Sequence, residues 1–188
     1  DASALAWNFD NAILGYDFQS GTTWSPALDA SMTATAASGI NASDALVLRV
    51  PAAINTSATL RLTDKMASPT STLSIAPVAA TATAPVAVGD VVMLADCHAR
   101  AVFEITDYTK TTGVIDHRAA AGTPGNATDD LGHAFEANSQ VVPVRTVAYY
   151  VGASGGRTGL WRISGSGAAE ELVEGVERME LRFGVDTS

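Results

Sequence analysis

The stretch "VVPVRTVAYYVG" (141–152) constrains the fold more than any other part of this chain. It is long, rich in β-branched and aromatic residues, and shows no helical spacing, so it reads as a strand. Five residues later, across "ASGGR", comes "TGLWRIS" (158–164), a second run of the same kind. Two such runs joined by a short glycine-containing link predict an antiparallel hairpin. A hairpin alone is marginal in water, so the rest of the chain has to supply further strands.

It does so in short pieces. "SDALVLRV" (43–50) alternates Leu46, Leu48 and Val50 against Val47 and Arg49, and Pro51 ends it. "ATLRLTD" (58–64) puts Leu60 and Leu62 on one face, and "STLSIAP" (71–77) is a third candidate. "VVMLAD" (91–96) is continuously apolar, which suits a strand covered on both faces. "AVFEITD" (101–107) alternates again, and "GVIDH" (113–117) comes after a turn. Between them, residues 29–43 and 118–140 read as loops, the second long and exposed. "VAATATAPVAVGD" (78–90) has the composition of a linker and closes on a Gly-Asp turn signal. The first stretch holds Trp7, Phe9, Tyr16, Phe18 and Trp24 without a clean period, and reads as an irregular segment anchoring aromatic side chains on a core. In the tail, Leu172, Val173 and Val176 fit one helical turn, then Met179, Leu181, Phe183 and Val185 alternate as a half-buried strand. The expectation is about eight short strands in one mainly β, antiparallel domain spanning 1–188, with no internal repeat.

Composition narrows the function. Of 188 residues only 16% are charged, and the net charge is -9. Lys65 and Lys110 are the only lysines and the arginines are scattered, so no basic patch offers itself to phosphates and a nucleic-acid partner is not expected. Cys97 is the single cysteine, which rules out a disulfide within the chain. No apolar run approaches the ~20 residues that span a bilayer. The chain starts at Asp1 and reads as a trimmed or mature fragment, so a membrane segment of the native protein can lie outside it.

Several motifs bear on chemistry. "GASGG" (152–156) has the spacing of a nucleophile elbow with Ser154 as nucleophile, but an elbow needs a helix behind it, and residues 157–164 read as a strand. A hairpin turn explains it better. "ADCH" (95–98) sets Asp96, Cys97 and His98 side by side, all potential ligands, yet three consecutive strand residues cannot face one ion. Cys97 with His117 or His133 as base is conceivable; a half-buried cysteine at a strand end, or one bonded to a partner outside the chain, are the alternatives. Asn41, Asn55 and Asn126 open glycosylation-type triplets, which chance supplies freely in so Ser-, Thr- and Asn-rich a chain. Asp129 and Asp130 lack the spacing of a calcium loop and read as solvated. The early aromatics could form a carbohydrate platform, but core anchoring fits better beside Ile13, Leu14 and Leu28. The residues alone thus indicate an acidic, mainly β domain with no catalytic, cofactor or metal site.

"ELVEGVERMELRFGVDT" (171–187) resembles the C-terminal signature of the PilW family, minor pilins of bacterial type IV pili. "NAILGYDF…WSPAL" (11–28), "SDALVLRV" (43–50), "VGDVVMLADCHARAVFEIT" (88–106) and "VAYYVG…GLWRIS" (147–164) resemble family segments in the same order. The resemblance implies a non-catalytic prepilin. A hydrophobic N-terminal helix would anchor it in the inner membrane and later pack in the pilus core. Its periplasmic β head would be similar to the J-type pseudopilin of type II secretion. Subunits of this kind prime assembly and sit extracellularly in the pilus tip, with other minor pilins, the major pilin and a tip adhesin as partners. The anchoring helix and its usual glutamate have no counterpart here, and the family commonly continues past "GVDT". Family members often carry another cysteine upstream of the "GYDF" region, which would make Cys97 half of a disulfide. The missing helix would leave an exposed apolar strip, with Trp7, Ile13, Leu14 and Phe18 as its expected lining. A type II secretion pseudopilin, and a β-rich extracellular binding module or hydrolase, are the competing classes.

Overall fold

The computed structural model describes residues 5–35, 40–52, 59–122, 124–165 and 167–184. In chain order these form a 3-10 turn (Leu5–Trp7), β1 (Ile13–Ser20), β2 (Thr23–Ser25), α1 (Ala30–Thr35), β3 (Ala45–Pro51), β4 (Leu60–Arg61), β5 (Leu73–Ser74) and β6 (Val91–Ala95). They continue with β7 (Arg100–Glu104), β8 (Asp107–Thr109), β9 (Val114–Asp116), β10 (Gln140–Ser154), β11 (Arg157–Ser164) and β12 (Glu170–Glu174). The protein is mainly β, and every strand pair whose register is defined is antiparallel. The chain divides into two compact units, one of residues 51–144 and one of residues 2–50 with 145–188. Strand β10, the 15-residue run that dominates the sequence, gives its first residues to one unit and its last to the other.

In the unit of residues 2–50 and 145–188 the strands take the order β12-β11-β10-β3-β1-β2. The β10–β11 hairpin closes as the sequence predicts. Ser154 pairs with Arg157 around Gly155 and Gly156, at φ 59° and 81°. Two successive positive φ values define a type I′ turn, whose twist matches its strands and which glycine adopts without a Cβ penalty. One face of this sheet carries Tyr16, Ala45, Val47, Ala148, Tyr150, Trp161 and Ile163, and α1 sets Met32 among them. Tyr150 stands opposite Trp161, and Ala148 opposite Ile163, so the core is built from cross-strand pairs.

Three local expectations need correction here. Residues 13–20 are a regular strand, and 30–35 a short helix, where the sequence suggested irregular chain and loop. On β3 the fully covered face is Ala45 and Val47, while Leu46 and Leu48 are half-buried. The sequence names no core side, since apart from Arg49 both alternating sets are apolar. The expected helical turn after Glu170 is instead β12, paired with β11 from Gly159↔Glu174 to Arg162↔Glu170. Cross-strand ion pairs Arg157–Glu174 and Arg162–Glu170 accompany it. Over so short a window, helical and extended spacing cannot be told apart, and the unpaired edge of β11 decides.

In the unit of residues 51–144 the first residues of β10 lie between β4 and β6, and β6 pairs in turn with β7. A separate small sheet has the order β5-β9-β8. Its core comprises Leu62, Met66, Leu73, Ile75, Val92, Leu94, Phe103, Ile105, Ile115 and Phe135 among others. Val92 and Leu94 are buried on one face, and on the other Val91 is buried while Met93 and Ala95 are half-buried, so the strand expected to be covered on both faces is fully covered on one. The segment 118–140 is the long, mostly exposed loop expected, but it is anchored: Asn126, Phe135 and Ser139 are buried. Main-chain bonds dock it on 62–66, with Met66 N donating to Phe135 O at 2.9 Å and Asn138 N to Leu62 O at 2.9 Å. An aromatic ring that fills a core from an otherwise polar loop leaves a large void when truncated. Phe135→Ala is expected to cost about 3–5 kcal/mol, read as a lower urea midpoint; a change below about 0.5 kcal/mol would mean that the loop does not dock.

Candidate functional site

The Asp96-Cys97-His98 triplet is the turn between β6 and β7. Asp96 Oδ1 accepts the backbone N–H groups of His98 (2.7 Å) and Ala99 (2.8 Å), and Asp96 N donates to Ala99 O. This is an aspartate spending its carboxylate on its own turn. The second oxygen, Oδ2, lies 3.1 Å from His133 Nε2, and the His133 ring packs edge-on against Phe135. The two turn N–H groups, ahead of the histidine, hold the Asp96 carboxyl below the usual aspartate range; partial desolvation opposes them. Cys97 is exposed at the tip, and His98 points to solvent with Nδ1 4.0 Å from Asp96. Among the described residues no group of three or more His, Cys, Asp or Glu could hold a metal ion.

His117 is not available as a base. It is 1% exposed, packs against Phe103, and its Nε2 faces Ser71 O at 2.9 Å, so that nitrogen carries the proton. Neither His117 nor His133 bonds the Cys97 sulfur among the described residues. Asn126 is a structural residue rather than a modification site. Its Oδ1 accepts Glu104 N, and its Nδ2 faces the carbonyls of Glu104, His117 and Arg118 at 2.8, 3.2 and 3.3 Å. Asn41 is half-buried, with its N–H on Val151 O, and Asn55 lies outside the described residues. Asp130 accepts Gly132 N within its own turn, and Asp129 is exposed. Ser154 is exposed at the β10–β11 turn with a strand behind it, which is hairpin and not elbow geometry.

The pleat divides the apolar residues expected to form one strip. Leu14 and Phe18 lie on the core face of β1 with Tyr16, and Phe18 meets Trp24 edge-on at 5.4 Å. Ile13 is on the other face and 58% exposed. Trp7 ends the 3-10 turn and is half-buried.

What the sequence did not reveal is the dipeptide Ser43-Asp44, immediately before β3. Both residues are buried. Ser43 O accepts Trp24 Nε1 at 2.8 Å, and Asp44 Oδ1 accepts Phe18 N at 2.9 Å. The same pair grips the C-terminal segment. Ser43 Oγ accepts Met179 N (2.6 Å) and donates to Met179 O (2.8 Å), while Asp44 N donates to Met179 O and Asp44 Oδ2 accepts Leu181 N (2.7 Å). Short polar side chains before a strand signal a turn; nothing in that signal says that their partner stands 136 residues away.

A carboxylate whose folded value is depressed contributes stability that is fully present above the unfolded value, about 4, and is lost as pH falls through the folded value. Wild type should therefore lose stability relative to Asp96→Asn on acidification below about pH 4, in melts taken across that range; parallel curves would remove the carboxylate from the turn. Exposed Cys97 should take up one equivalent of a thiol reagent per chain without denaturant; no uptake would mean that the thiol is covered.

Comparison with protein-family models, with curated proteins and with solved structures finds no match.

Proposed function

We propose that this chain is the periplasmic head of a PilW-type minor pilin, a non-catalytic subunit that helps prime type IV pilus assembly and stands in the tip complex beside other pilins and a tip adhesin. One observation carries the reading. The segments that resemble the family occur in the family's order, and each falls on a framework element. Residues 11–28 cover β1 and β2, 43–50 the Ser43-Asp44 clasp and β3, 88–106 the β6–β7 hairpin, 147–164 the β10–β11 hairpin, and 171–184 most of β12 with the segment after it. Resemblance distributed over strands and hairpins is what a subunit working through its surfaces would retain.

The apolar groups left uncovered are in keeping with this. Ile13, Val173 and Phe183 are each more than half exposed, and side chains of that kind mark contact surfaces when partners cover them. A helix preceding the head would supply the anchorage in the inner membrane. The likeness of the head to the J-type pseudopilin belongs to the same proposal.

The test is a gene deletion scored three ways: surface pili by electron microscopy, twitching motility, and exoprotein secretion. Loss of pili and twitching, restored by the full-length gene, is the expected result. Normal pili with blocked secretion would assign the chain to a type II secretion machine. If all three are normal, a binding module or hydrolase takes precedence.

A further inference from the structure

Beyond β12 the chain leaves the sheet. Residues 176–184 form no ladder, although Met179, Leu181 and Phe183 alternate as a strand would; Val185 lies outside the described residues. The hydrogen bonds of β1 go to β3 and β2, and β3 lies between β1 and β10, so the sheet around this segment is complete without it. Among the described residues, the segment is bonded to the rest of its unit only at Met179 and Leu181, and only by Ser43 and Asp44. Its second hold is steric. Phe183 and Leu181 rest on Gly15 of β1, where a Cβ would lie 2.7 Å from Phe183 Cζ and 3.4 Å from Leu181 Cδ1. A Cβ at Gly15 would push the Phe183 ring aside; the ring is 62% exposed and enters neither core.

We propose that residues 176–184 are a releasable strap, which opens as a unit and uncovers Gly15, with its ladder neighbour Leu46, while the sheet stays folded. The clasp is built to survive the opening. Asp44 keeps Phe18 N on its other oxygen, and Ser43 keeps Trp24 through its carbonyl, so neither depends on the strap for its place. A segment tied by few hydrogen bonds and little buried apolar surface belongs to the low-stability end of a native structure and opens locally. Each anchoring bond contributes roughly a fivefold factor to the closed state. The inference is independent of the pilin reading and stands or falls on the mobility of this segment.

Residue-resolved hydrogen exchange on the chain tests it. In the wild type the Met179 and Leu181 amides should exchange at least about tenfold faster than the paired amides of β10 and β11. Ser43→Ala, which removes two of these bonds, should speed the strap amides by about 25-fold and leave β10 and β11 unchanged. Gly15→Ala, which adds a methyl against the tip of the Phe183 ring, should speed them as well, by a smaller factor, and also leave β10 and β11 unchanged. If strap and sheet amides exchange together in the wild type, or if both variants speed the sheet as much as the strap, the segment is an integral part of the unit and the proposal fails.

Discussion

The structure depends first on the main-chain pairing of β10. A strand of 15 residues carries a donor and an acceptor at nearly every position, and each must find a partner or water. Its first residues are flanked by β4 and β6, and its last pair with β11. Pro143 marks the change. It is the last residue in register with β6, opposite Val92, and has no N–H with which to prolong a ladder. Its carbonyl is still used, by Ala52 N at 2.7 Å. Each half of the strand then contributes to its own core, Val141 to one, Ala148 and Tyr150 to the other.

Around that framework the polar side chains are largely spent on the backbone. Asp96 closes a hairpin turn, Asn126 ties 104 to 117–118, and Ser43-Asp44 joins β1, β2 and the C-terminal segment. Asp96 and Asn126 have the chemistry of a ligand and of a modification site, roles that the sequence already sets second to plainer ones; Ser43-Asp44 gives no such signal. A buried carboxylate or amide facing main-chain groups is instead a device for holding loops, because an unsatisfied N–H or C=O costs more to bury than a bond returns. The apolar side chains left in solvent, Phe183 and Ile13 above all, are then the groups with most to gain from a partner.

Much of the fold was legible in the sequence. The β10–β11 hairpin is announced by two β-branched runs around a Gly-Gly turn, and β6 by a continuous apolar run. Both are local signals, carried by residues adjacent in sequence. What the sequence misread or left open shares one cause. For β3 both faces are apolar apart from Arg49; for β12 a single turn of spacing fits helix and strand alike; for Phe135 a lone aromatic sits in a polar loop. In each case the deciding contact comes from a distant part of the chain: Tyr16 opposite Ala45, the free edge of β11, and the 62–66 segment.

The sequence by itself determined the class: antiparallel β with short connections, an acidic surface without a basic patch, and a lone cysteine with no partner in the chain. Period-2 alternation, turn glycines and net charge are properties of neighbouring residues or of sums, and need no fold to be read. Only the tertiary structure decided which face of β3 is core, that two compact units share one strand, and that Ser43-Asp44 holds Met179 and Leu181. Those outcomes rest on pairings between residues far apart in the chain, whose energies exist only once the backbone has brought them within hydrogen-bond reach.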